Sequence, residues 1–229
     1  PLMLPEYQNE YGQGSQGQIS TDYDELRSRG GSWGGKLDGS SQLYWDGSNK
    51  PYSAQPDNVK NFFETGSNIV NTLVLSAGSE AVTTRFSYSN TNNQAMVPNS
   101  YLKRNNFNLR TTAKLSERLS IDTKATYISQ FTKNRINQGT EGLLTGVFGI
   151  PRNAIISDFE DFQDESTGLV RNVTDNGVNP YWLLNHDKSE ETRNRLMGFA
   201  KATYKFNDWL SAFGRIGTDW TEIRGEGIT

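Results

Sequence analysis

Between Phe107 and Phe131 apolar and polar residues alternate, with a break at Ser116-Glu117-Arg118. Gly198 to Trp220 repeats the pattern across Asn207-Asp208-Trp209. Arg104, Thr112, Lys114, Leu119 and Ser120 of the first stretch recur at matching offsets as Arg195, Thr203, Lys205, Leu210 and Ser211. One face of the first stretch would carry Phe107, Leu109, Thr111, Ala113, Leu115, Ile121, Ala125 and Tyr127. The other would carry Asn108, Arg110, Thr112, Lys114, Asp122 and Lys124. A side-chain period of two predicts antiparallel hairpins. Strands of about 10–12 residues suit a tilted membrane-crossing strand better than a soluble sandwich, whose strands average roughly 5–6.

The same reading extends along the chain. Strands are expected at 68–77 and 81–90 around Gly78-Ser79-Glu80, then at 104–115, 118–132, 195–206 and 209–221. Tight turns fall near 79, 117 and 208, and long connections at 1–66, 91–103 and 133–192. Short turns at one end and long loops at the other are the asymmetry of an outer-membrane barrel, periplasmic and extracellular respectively. Residues 1–66 lack periodicity and read as a long extracellular loop with a short helix near 57–65, opened by Asp57 or Asn58 and stopped at Gly66. Residues 67–229 hold the strands, with a second long extracellular loop at about 133–192. Tyr204, Phe206 and Trp209 suit an aromatic girdle, while Ile128, Met197, Phe199 and Phe213 interrupt the polar face. The expected fold class is all-β, an antiparallel transmembrane β-barrel sector of about six long strands. Since the smallest bacterial membrane barrels have about eight, six belong to a larger one.

Composition permits this. The hydrophobic fraction is 34% and mean hydropathy is −0.71, and no run nears the roughly 18 apolar residues of a spanning helix. Leu143 to Ile150, the longest candidate, stops at Pro151. A net charge of −3 gives no case for nucleic acid as a partner. The absence of cysteine removes disulfides and thiolate metal sites and fits an envelope compartment. Pro1-Leu2-Met3-Leu4-Pro5 is too short for a signal peptide and lacks its basic region, and the chain does not begin with Met, so a processed or truncated piece is expected.

The loops carry a resemblance. Ser32-Trp33-Gly34-Gly35-Lys36-Leu37-Asp38-Gly39 resembles a signature of the SusC-like (SusC/RagA) TonB-dependent transporters of Bacteroidetes. Pro51 to Gly66, Val97-Pro98-Asn99-Ser100, Lys103 to Phe107, Gly149-Ile150-Pro151-Arg152 and Asn179-Pro180-Tyr181-Trp182 continue it in order, over about residues 5 to 225. Gly35 stands where the family often has proline, and the family's TonB box, plug and late strands have no counterpart in this chain. The resemblance implies an early sector of a barrel of about 22 strands. It also implies a bacterial outer-membrane location, and partners comprising outer-membrane lipid, a SusD-like surface lipoprotein and the TonB complex.

Several motifs invite chemistry. Gly12-Gln13-Gly14-Ser15-Gln16-Gly17 matches the dinucleotide fingerprint by letters, but without the preceding strand and following helix it reads as a flexible turn. His186, the only histidine, lies in polar Asn185-His186-Asp187-Lys188 and reads as a surface residue, leaving no triad to build. Asp158, Glu160 and Asp161, in a run reaching Asp164 and Glu165, are weak oxygen ligands for a cation, interrupted by Phe159 and Phe162. Asn172-Val173-Thr174 is an incidental sequon. Trp33, Tyr44, Trp45 and Tyr52, with Asp38 and Asp46 nearby, form the candidate substrate or partner surface, because rings stack on sugars or peptides while carboxylates orient them. The alternative is that the rings pack the loop. The expected function is TonB-coupled import of oligosaccharides or peptides, without cofactor or covalent chemistry. A structural scaffold of the outer membrane is the second reading and an enzyme the third.

Overall fold

The computed structural model describes residues 4, 6–136, 142–175 and 177–228. The chain divides into two compact units. One comprises residues 66–135 and 189–227, the other residues 1–65 and 136–188 with the last two positions.

The first unit is a six-stranded antiparallel sheet: β3 (Ser67–Gly78), β4 (Val82–Gln94), β5 (Tyr101–Lys114), β6 (Leu119–Lys133), β7 (Lys188–Lys205) and β8 (Ser211–Ile228). Each strand pairs with its neighbours in sequence, so the sheet is a meander, open at β3 and β8. The two hairpins with the shared pattern lie side by side, because β6 pairs with β7 from Leu119↔Tyr204 to Lys133↔Glu190.

The three tight turns use one device. Ser79 Oγ accepts from the amides of Ala81 and Val82, Ser116 Oγ from Arg118 and Leu119, and Asn207 Oδ1 from Trp209 and Leu210. Short polar side chains that bond the backbone two and three residues on replace the ladder where the chain reverses.

At the opposite end the expectation of a long loop at 91–103 is corrected. β4 continues to Gln94 and β5 begins at Tyr101, so residues 95–100 alone make the turn, closed by the Ala95 amide on the Ser100 carbonyl at 2.9 Å. Thr91, Asn92, Asn93 and Gln94 are polar on both faces, which hides a strand from hydrophobic contrast but does not break its ladder. β7 and β8 likewise outrun the expected 195–206 and 209–221.

The second unit is more than loop. It holds α1 (Tyr23–Ser28), the β1–β2 hairpin (Ser41–Leu43 and Asn49–Pro51), α2 (Asn58–Phe62), α3 (Leu143–Phe148), a 3-10 turn at Ile156–Glu160 and α4 (Pro180–His186). Its core gathers Leu26, Tyr44, Trp45, Tyr52, Val59, Phe62, Val147, Ile156, Phe159 and Leu184.

Buried amides join segments distant in sequence. Gln13, 1% exposed, takes Asn153 Oδ1 on its backbone N–H and donates its side chain to the Leu26 carbonyl. Asn58 donates to Ala154 O and accepts from the Ile156 amide. Asn179 donates to Phe159 O and Arg171 O. In a segment too polar to close a large apolar core, each such bond satisfies buried backbone groups that have no ladder partner.

Candidate functional site

Register fixes the faces of the sheet. Leu73, Tyr88, Phe107, Tyr127 and Leu196 stand in one row across β3 to β7. Tyr88 and Phe107 rings lie 4.9 Å apart and Phe107 and Tyr127 rings 6.4 Å apart. Toward the tight turns the same face continues through Leu75, Phe86, Leu109 and Ala125, then Thr84, Thr111, Thr123 and Ala200, and ends at Leu119 and Tyr204.

Beyond the aromatic row the face turns polar. Asn71, Asn90 and Asn105 are successive partners, and Asn105 Oδ1 accepts from both Tyr88 Oη and Asn90 Nδ2. Between the tight turns and this asparagine row no charged residue occupies the face among the described residues. Its large side chains, including Leu73, Leu75, Phe107, Leu109 and Leu196, are exposed.

The other face is charged. Arg85 lies opposite Arg110, Arg110 opposite Lys124, and Lys124 opposite Phe199. Arg110 forks onto Asp122 at 3.1 and 2.9 Å, and Arg195 onto Asp219 at 2.8 and 2.5 Å. Arg215 sits 4.1 Å from the Phe199 ring centroid and Lys201 4.5 Å from that of Phe213. These contacts place odd-numbered residues of β8 on the charged face and Ile216 and Trp220 on the apolar one. A concavity of about 310 Å³ opens on this face near the tight turns, lined by Lys114, Asp122, Lys201 and threonines 83, 112 and 203.

Along the sequence, charges fall on one face of each hairpin without forming a basic patch. Pairing gathers Arg85, Arg110, Lys124, Lys201 and Arg215 from five strands, and only the register reveals that gathering.

In the other unit the candidate substrate residues separate. Trp33 is 74% exposed, while Tyr44, Trp45 and Tyr52 are each 2% exposed. The Trp45 ring stacks on Phe159 at 4.9 Å. The Tyr44 hydroxyl donates to Asp158 at 2.8 Å and accepts the Ile155 amide at 2.7 Å. Burial pushes its pKa well above the ordinary tyrosine value. Tyr52 donates to the Gln13 carbonyl, and burial pushes its pKa up to about 12. These three rings are enclosed and present no face to a ligand.

Asp38 and Asp46 serve turns. Asp38 accepts from the hydroxyl and amide of Ser40, which hold its carboxyl below its usual range, and Asp46 accepts from the Ser48 amide. The surface group of six is thus divided: the structure encloses three rings, assigns two carboxylates to turns and leaves Trp33 alone outside.

The acidic run does not converge either. Asp158 takes Lys50 at 2.7 Å, Glu160 faces the Tyr181 hydroxyl, and Asp161 pairs with Arg171. Among the described residues no group of three or more His, Cys, Asp or Glu side chains gathers to hold a metal. His186 stacks on Trp182 at 4.8 Å.

The glycine motif is structural. Gly12 and Gly14 amides donate to Gly35 and Gly31 carbonyls, and a Cβ on Gly34 would lie 2.3 Å from the Gln13 carbonyl. Only a side-chain-free residue permits that backbone approach.

Three of the resembling motifs meet in this unit. The Arg152 amide donates to Ser32 Oγ at 2.9 Å, and the Gln55 amide to the Arg152 carbonyl at 2.8 Å. The Arg152 guanidinium, 4% exposed as a residue, is held by Gln8 O, Asn9 Oδ1 and Gln55 O.

Two helix starts are marked by local capping residues. Asp22 Oδ1 accepts the Glu25 amide to cap α1, with Glu25 at the capping-box position, and Asn179 before Pro180 caps α4 by accepting from the Tyr181 amide.

The class this geometry defines is a long-stranded antiparallel sheet with one uncharged apolar face and one charged face, in a chain that also folds a separate helix-and-loop unit. No family model matches the chain, and no curated protein matches it at a significant level.

Proposed function

We propose that the sheet is a wall sector of a bacterial outer-membrane β-barrel transporter, its apolar face against lipid and its charged face toward the lumen. The observation that carries this is the uncharged face bounded by an aromatic row on strands of 12 to 18 residues. Leu119 to Tyr127, at about 3.4 Å per residue and a tilt of about 40°, corresponds to a band roughly 20 Å tall, near the 25 Å or so of outer-membrane barrels. The free edges of β3 and β8 support continuation into further strands, because each unpaired backbone group in hydrocarbon costs several kcal/mol.

On this reading the residue 1–65 and 136–188 unit is extracellular. The ordered resemblance of its motifs to SusC-like transporters supports TonB-coupled import of oligosaccharides or peptides with a SusD-like lipoprotein. The chain contributes binding and passage, with no covalent step. Deleting the gene tests this: growth should fail on at least one polymeric glycan or peptide source and return with the gene. Unimpaired growth on every such source sinks the proposal.

A further inference from the structure

The charged face carries a feature that a plain wall does not need. Arg85, Arg110 and Lys124 stand directly opposite one another on three adjacent strands, about 4.8 Å from strand to strand. Like charges so placed destabilise a sheet. Asp122 satisfies Arg110, but among the described residues no carboxylate lies within ion-pair distance of Arg85, Lys124, Lys201 or Arg215.

Two phenylalanines share this face with the cations. Phe199 lies opposite Lys124, and Phe213, 68% exposed, stands on the same face beside Lys201. Phenylalanines that would bury readily on the apolar face are instead set against cations that have no carboxylate within ion-pair distance, Arg215 over Phe199 and Lys201 over Phe213.

A row of cations beside phenyl rings, with Phe213 largely exposed, is complementary to a ligand that repeats a flat ring and a carboxylate. Guanidinium and ammonium groups take the carboxylates through charge-assisted hydrogen bonds, and the phenyl faces take the apolar side of a sugar ring. An acidic peptide offers the carboxylates without the saturated rings.

Resting on the transporter reading above, we propose that this face binds an acidic oligosaccharide, its carboxylates along Arg85, Lys124 and Arg215 and its rings on Phe199 and Phe213. Repulsion along the row favours the bound state, because each carboxylate that arrives offsets a like-charge contact as well as making an ion pair.

The test uses the full-length protein in isolated outer membranes, with tetragalacturonate and its neutral methyl ester as matched probes and tetraglutamate as the peptide arm. The wild type should prefer the acid sugar over the ester by about 10-fold or more, a preference shrinking as salt rises. The variant R85Q/K124Q/R215Q should lose that preference, whereas F199A/F213A should weaken both sugars. The salt titration of the wild type stands even if a variant fails to assemble. Equal binding of acid and ester, no binding of the acid sugar, or tighter binding of tetraglutamate overturns the proposal. Recovery of the protein outside the outer-membrane fraction would instead overturn the transporter reading, so the two failures are distinguishable.

Discussion

Thr111 and Thr112 are consecutive, identical and on opposite faces of β5, so substituting each with arginine asks the same question of both faces at one depth. Thr111 lies in the row Thr84, Thr111, Thr123, Ala200, midway between the Leu119–Tyr204 and Tyr127–Leu196 pairs. On the proposed transporter reading, a cation on this face meets lipid near the midplane and costs about 2–4 kcal/mol. Thr111→Arg also loses the hydroxyl contact to Thr84 at 3.2 Å, worth up to about 1 kcal/mol. Thr112 lies opposite Asp122 and in the row of Lys201, so its arginine meets a carboxylate and water for a net effect within about 1 kcal/mol. The two variants should differ by about 3 kcal/mol, more than 100-fold in the folding constant. Reversible urea unfolding of the full-length protein from lipid vesicles, followed by tryptophan emission, measures both. If both faces are solvated, each substitution falls within about 0.5 kcal/mol, and equal stability of the two variants would refute the assignment of faces.

Two further predictions concern the other unit. Tyr44→Phe removes the acceptor of the Ile155 amide and the donor to Asp158, and should destabilise this unit by about 1–3 kcal/mol. Limited proteolysis within residues 136–188 reads that change, and an unaltered cleavage rate would show the hydroxyl to be dispensable. Tyr52 and Tyr181 are held protonated by burial, each with a pKa raised from 10.0 to about 12. The folded state therefore binds protons more tightly than the unfolded one, so their stabilising contribution is complete below pH 10 and is lost as pH rises toward 12. A spectrophotometric titration should find phenolate appearing together with loss of near-ultraviolet circular dichroism, and tyrosines that all ionise near 10 in the folded protein would contradict it.

Much of the sheet was legible because its code is local. Alternation at Phe107, Leu109, Thr111 against Asn108, Arg110, Thr112 states which residues share a face, and Ser79, Ser116 and Asn207 announce reversals through their own side-chain bonds. Strand ends were illegible where both faces are polar, as at Asn92 to Gln94, since no hydrophobic contrast marks where pairing stops. Residues 1–66 looked structureless because several of their partners lie about a hundred residues or more away. Nothing near Gln13 in the chain points to Asn153, nor anything near Asn58 to Ala154.

The candidate surface shows the same limit. Trp33, Tyr44, Trp45 and Tyr52 are alike in composition and neighbourhood, yet Phe159 and Asp158 draw Trp45 and Tyr44 inward while Trp33 stays outside.

The sequence by itself determined the two faces of each hairpin and the position of its turn, because side-chain direction along a strand follows from parity alone. Only the tertiary structure decided which strands adjoin, and with that the cation row from Arg85 to Lys124 and the enclosure of Tyr44, Trp45 and Tyr52. Those depend on hydrogen bonds between distant segments, whose geometry no local period encodes.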